Sequence, residues 1–460
     1  MRRMMRRCMR IEAVILGLLA GLGLVVPAAA WERESLPAFH ERRARLVRDT
    51  GGDGVIVMFG YRDTDVAASV TPFRQNENFY YLTGWNEPEA MMMLVPKVAK
   101  PGQASPEIDK EILFIPPHDV RPGSYHGELW EGPRAGPDDP DITARTGFPT
   151  VKPTALFPSE LQEALKSFSK VYTELTPQPE SGEDYFMAEM LGKLHKMAPL
   201  ATLADARPQL TRLRIVKTPG EIALIRKAVE ASVDAHLAAM KAVKPGVWEY
   251  EIAALMKYEF ERRGCEWPAY PPIVGSGLFS TVLHYDQDSK QMQDGEVVVM
   301  DVAGAYGGYT ADITRTLPVN GHFTPRQREI YEIVLGAQRA ALAAAKPGML
   351  IGRGGPKGLY HIAYEYFNTH GKDLHGQPLG QYFIHGLSHS IGLNVHDPGD
   401  YSLPLEAGMV VTIEPGLYIR EEKIGVRIED DILITPDGAE VLSRRLPRTA
   451  EEIEKLMSQK

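Results

Sequence analysis

The sequence predicts an α/β amino-terminal domain joined to an α+β domain with a pseudo-two-fold internal repeat. Three observations predict it. In residues 31–206, short apolar runs bounded by Gly and Pro alternate with segments of helical period. Beyond residue 206, the order helix, Lys-Pro-Gly, helix, hairpin occurs twice. Each hairpin also carries two acids, Asp301 and Asp312 in the first and Glu414 and Glu429 in the second.

The first 30 residues stand outside both domains. Arg2, Arg3, Arg6, Arg7 and Arg10 precede an apolar run at 14–26, which ends in Pro27-Ala28-Ala29-Ala30. That is the pattern of a secretory signal peptide cut near Trp31, and the run is short for a membrane span. An exported, periplasmic or secreted chain is expected, with no stable membrane span after cleavage. The whole sequence has a net charge of −9, and loss of the arginine-rich leader makes the mature chain more acidic still. With no basic block, nucleic acid is excluded as a partner. Cys8 leaves with the leader, so Cys265 is the one thiol remaining, which rules out an internal disulfide and a cysteine metal site.

Taken in order, residues 37–52 read as a helix closed by glycines, and DGVIVMFG reads as a buried strand. QNENFYYLTGWNEP, at 75–88, is aromatic-rich and bounded by turns, and the strand-like AMMMLVP and EILFIPP follow it. Residues 117–150, rich in Pro, Gly and Asp, read as an extended surface segment. LFPSELQEALKSFSKVYTEL then returns to helix and strand. There is neither a nucleotide-binding glycine fingerprint nor a catalytic serine elbow.

The second domain, 207–460, opens with a helix that starts at Thr218-Pro219, carries Glu221 in its first turn and closes at Lys244-Pro245-Gly246. Its counterpart starts at Thr324-Pro325 and closes at Lys346-Pro347-Gly348. EYEIAALMKYEFERRG and LYHIAYEYFNTHG supply the second helix of each copy. The lead-ins DGEVVVMD and AGMVVTIE align, ending on Asp301 and Glu414. A turn centred on Tyr306 and Gly307 sets Asp301 directly opposite Asp312, and one centred on Glu421 and Glu422 sets Glu414 opposite Glu429. Like charges so placed repel, so four acids at one centre require cations. Histidines fill the approach to each hairpin: His284 before the first, and His385, His389 and His396 before the second. His385 and His389 have the spacing of a helical metal pair, although Gly386 and Gly392 argue against a helix there.

Together these residues resemble the aminopeptidase P and prolidase family of metallopeptidases, with its pita-bread catalytic fold. In the catalytic half the resemblance rests on LRIVKTPGEIALIRKA, MDVAGAYGGYTADITRT, HGLSHSIGLNVHD, TIEPGLYI and GVRIEDD. In the other half it rests on RQNENFYYLTGWNEPEA and GELWEGPRAGPD, which are similar to the non-catalytic domain of bacterial aminopeptidase P. Tyr80 departs from the family pattern, which has Trp there.

The resemblance implies that Asp301, Asp312, His389, Glu414 and Glu429 bind two divalent metal ions, and that His284, His385, His396 and Arg427 bind substrate or support the metals. Oxygen-dominated ligation with one nitrogen suits Mn²⁺, with Zn²⁺, Co²⁺ and Fe²⁺ as alternatives. Two such ions would hold a hydroxide and polarise the scissile carbonyl. His284 and His396 are expected to bind substrate oxygens or carry protons, His385 to line the proline side, and Glu414 to relay protons while ligating. Arg427 is expected to orient carboxylates, with a structural ion pair or a clamp on a substrate carboxylate as its alternatives. The implied activity is hydrolysis of the bond between an N-terminal residue and a following proline, by a homo-oligomer (dimer or tetramer). The nearest alternative is a dipeptidase of the prolidase type. A metal-free creatinase-like hydrolase and a peptide-binding module without catalysis are the others.

Overall fold

The computed structural model describes residues 32–62, 73–98, 106–118, 134–175, 182–353 and 358–459. The expected leader, its cleavage point at Trp31 and residues 127–133 of GELWEGPRAGPD lie outside the described residues.

The amino-terminal half is a six-stranded sheet of β1 (Val55–Phe59), β2 (Met91–Pro96), β3 (Ile108–Ile115), β4 (Thr150–Pro153), β5 (Lys170–Thr173) and β6 (Thr202–Asp205), in the order β4-β3-β2-β1-β5-β6. β1–β2 and β2–β3 are antiparallel, and the remaining pairs are parallel. Every residue of β1 is buried, as its unbroken apolar run requires of a strand covered on both faces. The Leu36–Asp49 helix covers one face and buries Arg43, which donates to Glu111 (2.8 Å) and to Leu82 O (2.9 Å) and lies over the Phe148 ring. Asn76 caps the short helix Glu77–Thr83 by accepting from Phe79 N at 2.8 Å.

The surface reading of 117–150 needs correction at its carboxyl end. Residues 142–150 contain the helix Ile142–Thr146 and enter β4, with Ile142 and Phe148 buried. Residues 119–133 of this segment lie outside the described residues; in the rest, a few apolar side chains among turn formers suffice to draw the chain into the core.

In the second half both helix pairs form where expected. Pro219–Ala242 has a capping box between Thr218 and Glu221, and Pro325–Ala344 has one between Thr324 and Gln327. Glu249–Glu261 and Leu359–His370 complete the pairs. The strands are β7 (Trp267–Pro268), β8 (Ile273–Ser276), β9 (Val297–Asp301), β10 (Gly304–Tyr306), β11 (Tyr309–Thr310), β12 (Thr314–Pro318), β13 (Val410–Ile413), β14 (Gly416–Ile419), β15 (Ile424–Arg427), β16 (Asp430–Thr435) and β17 (Gly438–Val441).

The first hairpin differs from its expected register. Asp301 pairs with Thr314 and Tyr306 with Tyr309, so the turn falls on Gly307 and Gly308. Both have positive φ, 60° and 85°, as a tight hairpin turn demands, and a tyrosine resists that conformation. Asp301 and Asp312 are therefore diagonal neighbours, not direct opposites. The second hairpin keeps its expected register: Ile413 pairs with Asp430 and Gly416 with Arg427, which sets Glu414 level with Glu429.

Arg33–Lys460 is one compact unit. One apolar core runs from Leu46 in the first helix to Met457 near the carboxyl end, and a second lies on the other face of the amino-terminal sheet. No helix among the described residues is long and apolar enough to cross a membrane.

Candidate metal centre

The two hairpins bring their acids to one cleft. Asp301 ends β9, Asp312 lies between β11 and β12, Glu414 follows β13, and Glu429 joins β15 to β16. His389 arrives on an irregular stretch beside β13, where its N–H donates to Thr412 Oγ1 at 3.1 Å and its carbonyl accepts from Thr412 N at 3.0 Å. His385 and His389 share no helix. A cavity of about 320 Å³ is lined by His284, Asp301, Asp312, His385, His389, His396, Glu414, Arg427 and Glu429, together with Leu283 and Tyr401.

His389 Nε2 lies 3.3 Å from Asp312 Oδ2 and 3.5 Å from Glu414 Oε1. Ligand atoms of Asp312, His389 and Glu429 all fall within 4.8 Å of one another. His389 Nδ1 sits 3.2 Å from Ser390 O, an acceptor only, so that nitrogen carries hydrogen and Nε2 faces the acids, as in a metal-binding histidine. Asp312 Oδ1 is buried without a hydrogen-bond partner. Burial and mutual repulsion push Glu414 up to about 7, with Glu429 well above and Asp312 above the ordinary carboxylate range. Burial opposes the charged form of His389, but Asp312 and Glu414 outweigh it and raise the ring to about 9. Crowded acids, an orphaned carboxylate oxygen and a correctly turned imidazole fit divalent cations.

Arg427 is buried, and each nitrogen of its guanidinium makes a hydrogen bond. Nη2 donates to Asp301 Oδ2 (2.7 Å), Nη1 to the Tyr418 hydroxyl (2.8 Å) and Nε to Thr314 Oγ1 (3.1 Å). Thr314 in turn donates to Glu429 Oε2 at 2.6 Å. His385 Nδ1 donates to Gly386 O at 2.7 Å, and Nε2 accepts from the Tyr418 hydroxyl at 2.8 Å. Burial, with Arg427 nearby, lowers His385 to about 3 and keeps it neutral. His284 and His396 are exposed at the cleft mouth, and the His396 ring lies 4.1 Å from that of His389.

Sequence reasoning missed Tyr270, whose hydroxyl donates to Asp301 Oδ1 at 2.6 Å, and the bridging roles of Thr314 and Tyr418. It also missed Asp431, whose Oδ2 accepts from Asp312 N at 3.0 Å. Thr314 and Asp431 each stand two residues beyond an acid of the centre, and strand periodicity puts such residues on the same face. Tyr270 and Tyr418 have no comparable signal.

The fold and its acid–imidazole centre are those of a pita-bread metallopeptidase. The profile of "Metallopeptidase family M24" matches residues 223–436, and that of "Aminopeptidase P, N-terminal domain" matches 39–172. The chain is 36% identical over 449 residues to the Xaa-Pro aminopeptidase of Escherichia coli, covering 91% of this chain and 97% of that one. It is 38% identical over 296 residues to an Xaa-Pro dipeptidase of Pyrococcus furiosus, covering 63% of this chain and 79% of the relative. The solved structure of proline aminopeptidase P II from Yersinia pestis superposes with a TM-score of 0.78 at 33% identity, covering 93% of this chain and all of that one (100%). This chain belongs to the aminopeptidase P family.

Proposed function

We propose that the protein is an Xaa-Pro aminopeptidase, a metallopeptidase that hydrolyses the bond between an N-terminal residue and a following proline. The observation that carries this reading is the single cleft in which all nine expected side chains meet. Asp301, Asp312, His389, Glu414 and Glu429 would hold two divalent ions, Mn²⁺ by the chemistry of the donor set. Bound ions supply Lewis-acid polarisation of the scissile carbonyl and activate water for attack.

The chain's own groups bind and steer. His284 and His396, exposed at the mouth, receive substrate oxygens. His385, neutral and held between Gly386 O and Tyr418, presents its ring as a wall for proline. Glu414, 15% exposed, is the acid of the centre most open to the cleft and is suited to pass a proton to the leaving imino nitrogen. Arg427 is a positioning residue: its nitrogens hold Asp301, Thr314 and Tyr418.

The extent of the match favours an aminopeptidase over a dipeptidase: for the dipeptidase it covers 63% of the chain against 91% for the aminopeptidase. The test is kcat/KM on Ala-Pro, Ala-Pro-Ala and a longer Ala-Pro peptide under equal Mn²⁺ loading. Tripeptides and longer chains should be cleaved as well as the dipeptide or better; turnover of the dipeptide alone would make the protein a prolidase. Repeating the assay with Zn²⁺, Co²⁺ and Fe²⁺ tests the metal assignment. We also propose export with cleavage near Trp31, checked by N-terminal sequencing, and a dimer or tetramer, checked by light scattering.

A further inference from the structure

His396 makes no hydrogen bond among the described residues, and its ring touches that of His389 at the cleft mouth. Its position is therefore set by the main chain of the loop 392–397. Among the described residues, the main-chain hydrogen bonds that fasten this loop to the rest of the catalytic repeat lie at its ends: Thr310 N donates to Gly392 O at 2.8 Å and Asp397 N to Ser390 O at 3.0 Å.

Further holds come from one residue of the amino-terminal half and from two that precede the first repeat helix in the second domain. Arg74, in the RQNEN stretch of the amino-terminal half, donates through Nη2 to Leu393 O at 2.7 Å. Arg214, ahead of the first repeat helix, donates through Nη2 to Asn394 Oδ1 and to Asp397 Oδ1, both at 2.6 Å. Lys217 Nζ reaches Asp397 Oδ2 at 3.1 Å. The other terminal nitrogen of Arg214 donates to Asn78 Oδ1 at 2.7 Å, and Asn78 is anchored by a hydrogen bond to Glu174 at the end of β5. Arg214, Lys217 and Asp397 are all buried. A buried group of charges tolerates few geometries, because any slippage leaves an ion unpaired in a poorly solvated place. Such a group is suited to fixing a loop more than to adding stability.

We infer that the amino-terminal domain is a working part of the active centre, with Arg74 directly and Asn78 through Arg214 positioning the loop that presents His396 to substrate. The inference rests on the proposed Xaa-Pro activity and on the contact of His396 with substrate. It gives the RQNENFYYLTG segment a task in the reaction beyond covering the sheet. Misplacing a substrate-binding group by about 1 Å costs up to roughly a hundredfold in rate.

The test is a pair of double-mutant cycles, which separates action through His396 from general damage. Arg74→Ala and Asn78→Ala are the variants of choice. Arg74 is 32% exposed and its loss also unpairs Glu77, 25% exposed. Asn78→Ala leaves Arg214 paired with Asp397 but removes the hydrogen bond on the buried Glu174. The His396→Ala background carries both side effects equally, so the cycle cancels them. Each is made alone and with His396→Ala, and kcat and KM are measured on Ala-Pro-Ala with bound Mn²⁺ quantified in every sample. Each single variant should lose about tenfold in kcat/KM with unchanged metal content. In the His396→Ala background the same changes should cost less than twofold. The cycle is repeated on the Kd for the product-like dipeptide Pro-Leu, which needs no turnover. Equal losses with and without His396, or no loss in the single variants, would overturn the inference while leaving the proposed function standing. A wild-type protein inactive on every Xaa-Pro peptide would overturn both.

Discussion

The two copies of the catalytic repeat fasten their hairpins with different side chains. In the first, His236 of the Pro219–Ala242 helix lies with Nε2 at 3.1 Å from both Val302 O and Ile313 O, the residues that follow Asp301 and Asp312. In the second, Gln338 of the Pro325–Ala344 helix donates to Ile413 O (3.3 Å) and Ile428 O (3.1 Å), which precede Glu414 and Glu429, and to Asp430 Oδ2 (2.8 Å). Each helix thus sends one buried polar group across both strands at the level of the acids. One clamp can take up a proton and the other cannot. The acids differ as well: Asp301 meets the Arg427 guanidinium, whereas Glu429 receives its hydrogen bond from a threonine and is pushed well above its ordinary value, by burial first and then by Asp312 and Glu414. The two copies share a framework, and their side chains fasten it differently.

The largest expected effect comes from removing an acid of either copy. Glu429→Ala should lower bound metal below the wild-type content and reduce kcat/KM by about a thousandfold or more, since a lost ligand unbalances the centre. Asp301→Ala should do the same and also free Arg427. Undiminished turnover in either purified variant would remove the dinuclear site from consideration.

The clamps differ next in their response to acid. Burial first, and Arg315 second, hold His236 down to about 4. Its folded value lies below the ordinary 6.5 or so, so as pH falls the unfolded chain takes the proton first. The contribution of His236 is complete above pH 6.5 and is lost as pH falls toward 4, with a cost on the order of 3 kcal/mol. Denaturation at stepped pH should show His236→Gln removing part of the acid sensitivity of the wild type, and Gln338→Leu leaving that slope intact. If His236→Gln keeps the full acid slope, the protonation argument is wrong.

Thr314 links the two copies, because it donates to Glu429 and accepts from Arg427. Thr314→Val should cost about 10–100-fold in metal affinity or kcat/KM, the usual range for groups that orient ligands. Wild-type values for both would reduce the hydroxyl to a packing group.

The smallest effects lie in the turns, and they should have opposite signs. Gly308 has φ 85°, and a Cβ there would meet Tyr80 at 3.3 Å, so Gly308→Ala should destabilise by about 1 kcal/mol. Lys423 holds φ 56° without being glycine, so Lys423→Gly should stabilise by up to about 1 kcal/mol. Thermal melts of the metal-loaded protein measure both, and changes of like sign would show that something other than backbone conformation governs these turns.

Much was legible without coordinates, and what was legible was local. Thr218-Pro219 and Thr324-Pro325 mark helix starts because capping involves residues three apart in the chain. The strands read as apolar runs, and the duplication was visible because each copy repeats its own local order. The four acids and four histidines expected at the centre do meet in one cleft, since a motif carries its register within itself. The second hairpin was placed correctly for the same reason, with its loop lying symmetrically between two short strands.

Tertiary structure decided whatever depends on a partner distant in sequence. The first hairpin turned on Gly307 and Gly308 because glycine adopts two successive positive φ values at the least cost, which moved Asp301 opposite Thr314. Arg427 was open between orienting acids and clamping substrate until the positions of Asp301, Tyr418 and Thr314 around its guanidinium settled its contacts. Tyr270, and the tether from Arg74 and Asn78 to the His396 loop, join residues from separate parts of the chain. Periodicity and capping say which face a side chain takes and where an element ends. They carry no information about which distant group will meet that face, because that is fixed by packing the whole core at once.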